Sequence, residues 1–465
     1  MQALLISTYE MGRQPFGLAS PAAWLRAAGW EVVCADVSKE RLRETDIASA
    51  DVIAFHLPMH TATRLAAPVI ARSRALNPSA RICAYGLYAP LNEKWLRSIG
   101  VEAVFGGEFE EELTAWAALS RCGPECDETE SSQGTQRIIS ADSVVSAFHP
   151  EVPRIHFLVP DRSTLPPLTK YATLQLPDGT RRSVGYTEAS RGCKHLCRHC
   201  PVVPIYNGQF RIVPPDVVLA DIAAQVAAGA RHITFGDPDF FNGPTHAMRI
   251  VDGLHAAHAG VSYDVTIKVE HLLRHRALLP RLAESGCMFV TSAVESLDDR
   301  VLTILDKGHT RADFIEAVDV CAAAGVTLIP TFVAFHPWLT LAGYCDLLDT
   351  IAALGLVDHV APIQLAIRLL LPEGSRLLTR PEMRPHVGAF DPKTLTYRWS
   401  HPDPAVDALH ADVTVVVGTR LTANRRAAFE EISALAHDRA HLPATATRPA
   451  RNRATVPYLN EPWYC

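Results

Sequence analysis

The sequence predicts an α/β protein: an N-terminal doubly wound, Rossmann-like domain, then a full or partial parallel (β/α) barrel and a small C-terminal extension. Three observations carry this. Over the first ~120 residues short apolar runs alternate with helical patterns. A second alternating series runs from Ser183 to Arg376. Between them, within Arg121–Ser146, the stretch CGPECDETESSQGTQ is polar and poor in large apolar groups, as a linker is. With 465 residues, the chain has room for several buried cores. The expected bounds are residues 1–120 for the first domain, 121–182 for the linker and approach, 183–380 for the barrel and 381–465 for the extension and tail.

In the first domain the expected strands are Ala3–Ser7, Glu31–Ala35, Val52–Phe55, Arg81–Tyr85 and Ala103–Phe105. Runs this uniformly apolar need cover on both faces, which a parallel sheet flanked by helices provides. Helical spacing over Pro21–Ala28, Thr63–Leu76 and Glu93–Ile99 supplies that cover. The second series offers strands Val184–Glu188, His232–Phe235, Ser262–Ile267, Met288–Ala293, Thr327–Phe332 and Pro362–Leu370. Helices such as Asp216–Ala228 and Leu278–Ser285 separate them. Such a barrel places its chemistry at the carboxyl ends of its strands. Beyond Leu377 one amphipathic helix, Thr422–Ala436, precedes an irregular tail.

Acidic residues number 50 against 44 basic ones, a net charge of −6, so there is no basic surface for nucleic acid to find. The start, MQALLISTYE, lacks a basic flank and a cleavage site, so no signal peptide is expected. The longest apolar stretch, Val326–Tyr344, is interrupted by Pro330, His336 and Pro337, which argues against a membrane span. Eleven cysteines are too sparse for a disulfide scaffold. The expectation is a cytoplasmic protein with reduced thiols, in which clustered cysteines read as metal or catalytic groups.

Such a cluster exists. Arg191-Gly-Cys193-Lys-His-Leu-Cys197-Arg-His-Cys200-Pro201 directly follows the first strand of the second series. Three thiolates at C-x3-C-x2-C spacing suit a loop wrapped round one iron–sulfur cluster or one zinc ion. A cubane takes four thiolates, and three here would leave one iron open. Zinc held by the three cysteines with His195 or His199 is the alternative. Cys34, Cys83, Cys287, Cys321 and Cys345 fall in apolar patterns and are expected to be inert core thiols, while Cys122 and Cys126 lie in the linker.

The loop resembles that of the radical S-adenosylmethionine (radical SAM) superfamily. The resemblance implies a 4Fe-4S cluster on Cys193, Cys197 and Cys200, whose open iron chelates S-adenosylmethionine (AdoMet). It covers the barrel. Gly236-Asp237-Pro238-Asp239 stands where the superfamily's Gly-Gly-Glu-Pro-like segment meets the AdoMet amino group, with Asp in place of Glu. A carboxylate against an ammonium is sound chemistry there, and an Asp-Pro turn is the alternative. Glu295-Ser296 matches the pair that approaches the ribose, and Lys307-Gly308 follows. Lys268 or Glu270 is a candidate for AdoMet or substrate, and Pro330-Thr331-Phe332 for the adenine wall. Gln364 and Arg368 are open to a salt-bridge role or a substrate contact. The residue before the third cysteine, usually aromatic and packed on adenine, is His199 here, which adds a titratable group beside the cluster.

The first domain resembles those that bind cobalamin ahead of such barrels, and Gly106–Leu113 is similar to the segment that ends them. Their lower-ligand motif, Asp-x-His-x-x-Gly, is absent, so cobalamin is an open expectation. Gly12–Trp24 could hold an anion or close over the barrel mouth; a Pro/Gly turn with an N-cap at Ser20 is the alternative.

A narrower likeness spans ISTYEMGRQPFGLASPAAWL, RGCKHLCRHCPVVPIY, QLAIRLLLPEGSRL and EPWYC. These phrases resemble the radical SAM proteins named for a Cys-Cys-Ala-Glu-Pro or Cys-selenocysteine-Ala-Glu-Pro tail. Some members join a 3-amino-3-carboxypropyl group from AdoMet to arsenic. The expectation is that the chain is cut at a UGA codon after Cys465 and that Cys465 takes part in the chemistry; a natural terminus is the alternative. The implied function is reductive AdoMet cleavage to modify a small molecule or peptide, with a reductase or flavodoxin-type electron donor. Cobalamin-dependent methyl transfer and a non-catalytic metal or Fe-S sensor are the rivals.

Overall fold

The computed structural model describes residues 1–121, 152–420, 424–443 and 456–460. The chain divides into two units, with the boundary between Lys170 and Tyr171 and with Pro204–Tyr206 grouped with the first.

In the first unit five parallel strands, β1 (Gln2–Ser7), β2 (Glu31–Asp36), β3 (Val52–His56), β4 (Arg81–Tyr85) and β5 (Ala103–Phe105), form a sheet in the order β2-β1-β3-β4-β5. All five expected strands are present to within one residue. Every residue of β3 is buried, which is why its run is uninterrupted by polar groups. The first helix, Phe16–Ala27, begins five residues before the expected Pro21, so Ser20 lies inside it and caps nothing. Its hydroxyl instead donates to Glu110 Oε1 at 2.6 Å. Pro21 has no N–H to give the carbonyl of Gly17, one turn back, and the Tyr85 hydroxyl donates to that oxygen at 2.8 Å instead. A helix carrying an interior proline thereby keeps its carbonyls satisfied.

The second unit opens with β6 (Thr173–Gln175), β7 (Arg181–Thr187), β8 (Ser190–Gly192) and β9 (Phe210–Ile212), followed by β10 (His232–Phe235), β11 (Ser262–Thr266), β12 (Cys287–Glu295) and β13 (Leu328–Phe332). The short hairpin β14 (Val387–Asp391) and β15 (Thr396–Trp399) follows, and β16 (Tyr458–Leu459) comes last. The main sheet runs β13-β12-β11-β10-β7-β6-β16, with β7 and β10–β13 parallel and β6 and β16 antiparallel at one edge. It is a partial barrel.

The expected sixth strand is corrected. Pro362–Leu365 is a 3-10 turn, and Arg368 makes an isolated bridge to Phe335. The Gln364 side chain accepts the Phe332 N–H at 3.2 Å, taking the place a strand carbonyl would fill. Helices Pro404–Arg420 and Arg425–Ala440 belong to the second unit, and His437 Nε2 meets Asp349 of the helix Leu341–Ala353 at 3.3 Å. Arg368 is an ion-pair residue: it meets Asp407 at 2.8 Å, with its guanidinium 3.6 Å above the Trp399 ring. Among the described residues no helix is long and apolar enough to cross a membrane.

Candidate functional site

The cysteine loop leaves the parallel core through β8, whose three residues pair with β9. At its start Gly192 takes a left-handed φ of 74°, open to glycine at no steric cost. Asn242 braces this end: its Oδ1 lies 3.8 Å from Cys193 Sγ and accepts the Lys194 N–H at 3.4 Å. At the other end Arg198 donates to the carbonyls of Thr303 and Ile304 at 3.0 and 2.9 Å, and its own N–H reaches Leu305 O at 2.9 Å. Those are last-turn carbonyls of the helix Asp299–Leu305, where a cation also suits the helix dipole.

Cys193, Cys197 and Cys200 converge within this frame. Burial pushes the Cys200 thiol up to about 12, and the neighbouring Cys197 and Cys193 push the same way. Burial likewise raises Cys193, with Asp239 and Cys197 adding to it. Two thiols held protonated by burial, with a third sulfur beside them, become thiolates once a cation joins the group, which is the electrostatic logic of a metal or cluster site. The other five described cysteines are buried, and burial raises every one of their pKa values, so they are the inert core thiols expected of them. Cys122, Cys126 and Cys465 lie outside the described residues.

Gly236 follows β10, and its N–H extends the ladder to Thr187 O at 2.8 Å. A β-carbon there would fall on the Tyr186 phenol, so any side chain requires that ring to move. The two aspartates after it are both engaged within the fold. Asp237 accepts from Ala189 N at 2.9 Å and Ser190 Oγ at 2.6 Å, bracing the turn into the cysteine loop. Burial pushes its carboxyl up to about 7 despite those donors. Asp239 caps the turn Phe240–Asn242 through Oδ1, while Oδ2 faces two imidazoles, His271 Nδ1 at 2.6 Å and His195 Nε2 at 3.5 Å. Burial works against its charge, but those rings hold its pKa well below the usual carboxylate range.

Glu295 ends β12 at a register shift and has a left-handed φ of 70°, uncommon for a residue with a side chain. The shift turns its carboxylate toward Lys307 Nζ at 3.4 Å and His199 Nε2 at 3.1 Å. Burial favours the neutral acid, yet Lys307 and His199 outweigh it and hold Glu295 at about 2. His199 is thus a hydrogen-bond partner of Glu295. The neighbouring Ser296 is buried, and its Oγ accepts Asp298 N–H at 3.1 Å. Lys268 Nζ sits 3.0 Å from His195 Nδ1 and 3.5 Å from Glu270 Oε2, and Gly308 packs against the same pair. Pro330 lies in β13, paired with Ser292.

Two histidines escaped the sequence reading. His271 is fully buried in the helix Val269–Arg274, and His309 is 6% exposed with both ring nitrogens unpartnered. Burial, with Lys307 and Lys268 nearby, pushes His309 down to about 4. No local motif marks either residue in the sequence.

Residues 187–342 match the model of the radical SAM superfamily and form a radical SAM domain, the class that works with a 4Fe-4S cluster and AdoMet. Over 208 residues the chain is 24% identical to a tRNA-2-methylthio-N(6)-dimethylallyladenosine synthase of Alkalilimnicola ehrlichii, covering 41% of this chain and 45% of that protein. It is 29% identical over 137 residues to a bacteriochlorophyllide d C-12(1)-methyltransferase of Chlorobaculum tepidum, covering 28% of each. The matches thus span less than half of either relative. In fold the chain is similar to the cobalamin-dependent AdoMet radical enzyme OxsB, solved with aqua-cobalamin and AdoMet bound (TM-score 0.68, 14% identity, 90% of this chain and 66% of that one). It is also similar to the radical AdoMet methyltransferase TsrM of Kitasatospora setae (TM-score 0.59, 16% identity, 76% of this chain and 71% of that one).

Proposed function

We propose that this chain, whose residues 187–342 form a radical SAM domain, is an enzyme that reductively cleaves AdoMet to modify a small-molecule or peptide substrate. The observation that carries the reading is the convergence of Cys193, Cys197 and Cys200 in one loop, braced at both ends, after the first parallel strand of that domain. These three residues would hold a 4Fe-4S cluster, with one iron left for AdoMet. When bound, the cluster supplies one electron that breaks a C–S bond of the sulfonium. The chain's own residues bind and orient. Gly236 makes room for the Tyr186 phenol beside the loop, and Glu295 and Ser296 sit at the end of β12, where they would meet AdoMet hydroxyls. Lys268 follows β11, and His199 faces Glu295 at the end of β12. Asp237 is better read as a brace than as an AdoMet contact, because Ala189 and Ser190 take up its carboxylate, while Asp239 Oδ2 faces His195 and His271. The tail that suggested transfer to arsenic lies outside the described residues, and the reading ends at AdoMet cleavage and radical transfer.

A second reading adds cobalamin to the first unit, supported by its β2-β1-β3-β4-β5 order and by the likeness to OxsB across 90% of the chain. At the strand ends His56 is buried, its ring packed on Tyr85 and against Gly17, so a corrinoid here would bind without that imidazole as its lower ligand. Reconstitution with hydroxocobalamin, read as a base-off spectrum, tests it. For the first reading, Cys197→Ala should lose iron, sulfide and all AdoMet-derived product by mass spectrometry after dithionite reduction. Product formation by that variant overturns the reading, and a cluster-loaded wild type that never cleaves AdoMet supports a sensor instead.

A further inference from the structure

A second group of ligand-type side chains lies beside the cysteine loop, and neither reading above gives it a chemical role. Among the described residues, His195, Asp239 and His271 bring one ligand atom each to within 4.8 Å of one another. Asp239 and His271 are 1% and 0% exposed. The three atoms that converge, His195 Nε2, Asp239 Oδ2 and His271 Nδ1, are all buried and all lack a hydrogen-bond partner. That combination is informative. Oδ2 stands 2.6 Å from His271 Nδ1 and 3.5 Å from His195 Nε2, yet neither ring nitrogen is aimed to donate to it. Buried polar groups left unpaired cost stability, and three sharing one small space imply a common partner.

We propose that His195, Asp239 and His271 form a mononuclear site for a first-row divalent cation such as Zn2+, separate from the three cysteines. Two imidazoles and one carboxylate are the donors that borderline metals take, and they are poor ligands for magnesium or calcium. Bonds of about 2.0–2.1 Å hold ligand atoms of a tetrahedral ion roughly 3.3 Å apart, close to the average of the two observed separations. The carboxylate is already oriented, because its other oxygen, Oδ1, accepts from Phe241 N at 3.2 Å and Lys268 N at 3.5 Å. Behind the first imidazole, Glu270 Oε2 lies 3.8 Å from His195 Nδ1 and needs to close by about 1 Å to accept that ring's proton once Nε2 binds metal. Lys268 Nζ, now against the same nitrogen, is 3.5 Å from Glu270 and can pair with it instead. Three protein ligands leave a fourth position for water or a substrate heteroatom, and His195 ties that position to the loop between Cys193 and Cys197.

The site is independent of the radical reading and can fail separately from it. The test uses the full chain, reconstituted anaerobically with iron and sulfide and cleared of loose metal, then dialysed against Zn2+ alone. One zinc per chain beyond the cluster iron is expected. The Cys193→Ala/Cys197→Ala/Cys200→Ala variant should keep that zinc while losing iron. His271→Gln should weaken zinc at least a hundredfold with iron content unchanged. His195→Gln, at the less buried ligand, gives the same readout should the His271 variant not fold. No bound zinc in the wild type, zinc that departs with the cysteines, or zinc retained by both histidine variants overturns the proposal.

Discussion

His336 offers a sharp quantitative test. It follows β13, is 4% exposed, and its buried Nδ1 has no hydrogen-bond partner. Burial pushes the imidazole from 6.5 down to about 4; nearby Asp298 pulls it up slightly and His401 pulls it down. The folded ring therefore refuses a proton that the unfolded ring accepts. Between those two values the unfolded state binds more protons, so stability falls as pH drops through 6.5 and levels off below about 4. With those pKa values, lowering the pH from about 7 to about 5 costs roughly 2 kcal/mol through this one side chain. His336→Phe keeps the ring volume and removes the titration. Urea unfolding at both pH values checks it, followed by tryptophan fluorescence, since the Trp338 ring lies 5.7 Å away. The wild type should lose about 2 kcal/mol more than the variant on acidification. Equal losses in the two proteins would refute the reasoning, whatever the absolute stabilities.

Gly236→Ala should lower the thermal midpoint by an amount worth about 1–3 kcal/mol, because the new methyl collides with Tyr186, and adding Tyr186→Leu should restore most of it. Failure of the second substitution to rescue would place the strain elsewhere. Arg368→Lys should cost about 1–2 kcal/mol in chemical denaturation, since lysine can neither stack on Trp399 nor bridge Asp407 and the Trp399 carbonyl together.

The first unit was legible because each of its strands is covered on both faces, so its apolar runs stand out against helices and turns. The same signal misled at Pro362–Leu370. An apolar run there satisfies periodicity, but Pro362 and the Gln364 side chain commit it to a turn. Spacing alone brought out the cysteine loop, a local property of eight residues. The pairing of Glu295 with Lys307 and His199 depends on a register shift between β12 and β13 that no local pattern announces. His195, Asp239 and His271 are far apart in the chain and meet only through the order of β7, β10 and β11. Burial, which decides whether Asp237 is a ligand contact or a brace, is likewise invisible before the loop it faces is folded.

The ladder between β8 and β9 has a consequence for how the loop is filled. Ser190–Gly192 and Phe210–Ile212 pair residue for residue and close segment 193–209 at its base. Closing a loop of that size costs chain entropy of a few kcal/mol, which a free peptide would have to meet when its sulfurs gather round an ion. Here the folded barrel meets it in advance. Affinity for the incoming inorganic group then resembles that of a macrocycle more than that of an open-chain chelator. An occupant lost to oxidation would leave behind a ring still in register, so reloading is a question of iron and sulfide supply rather than of folding again.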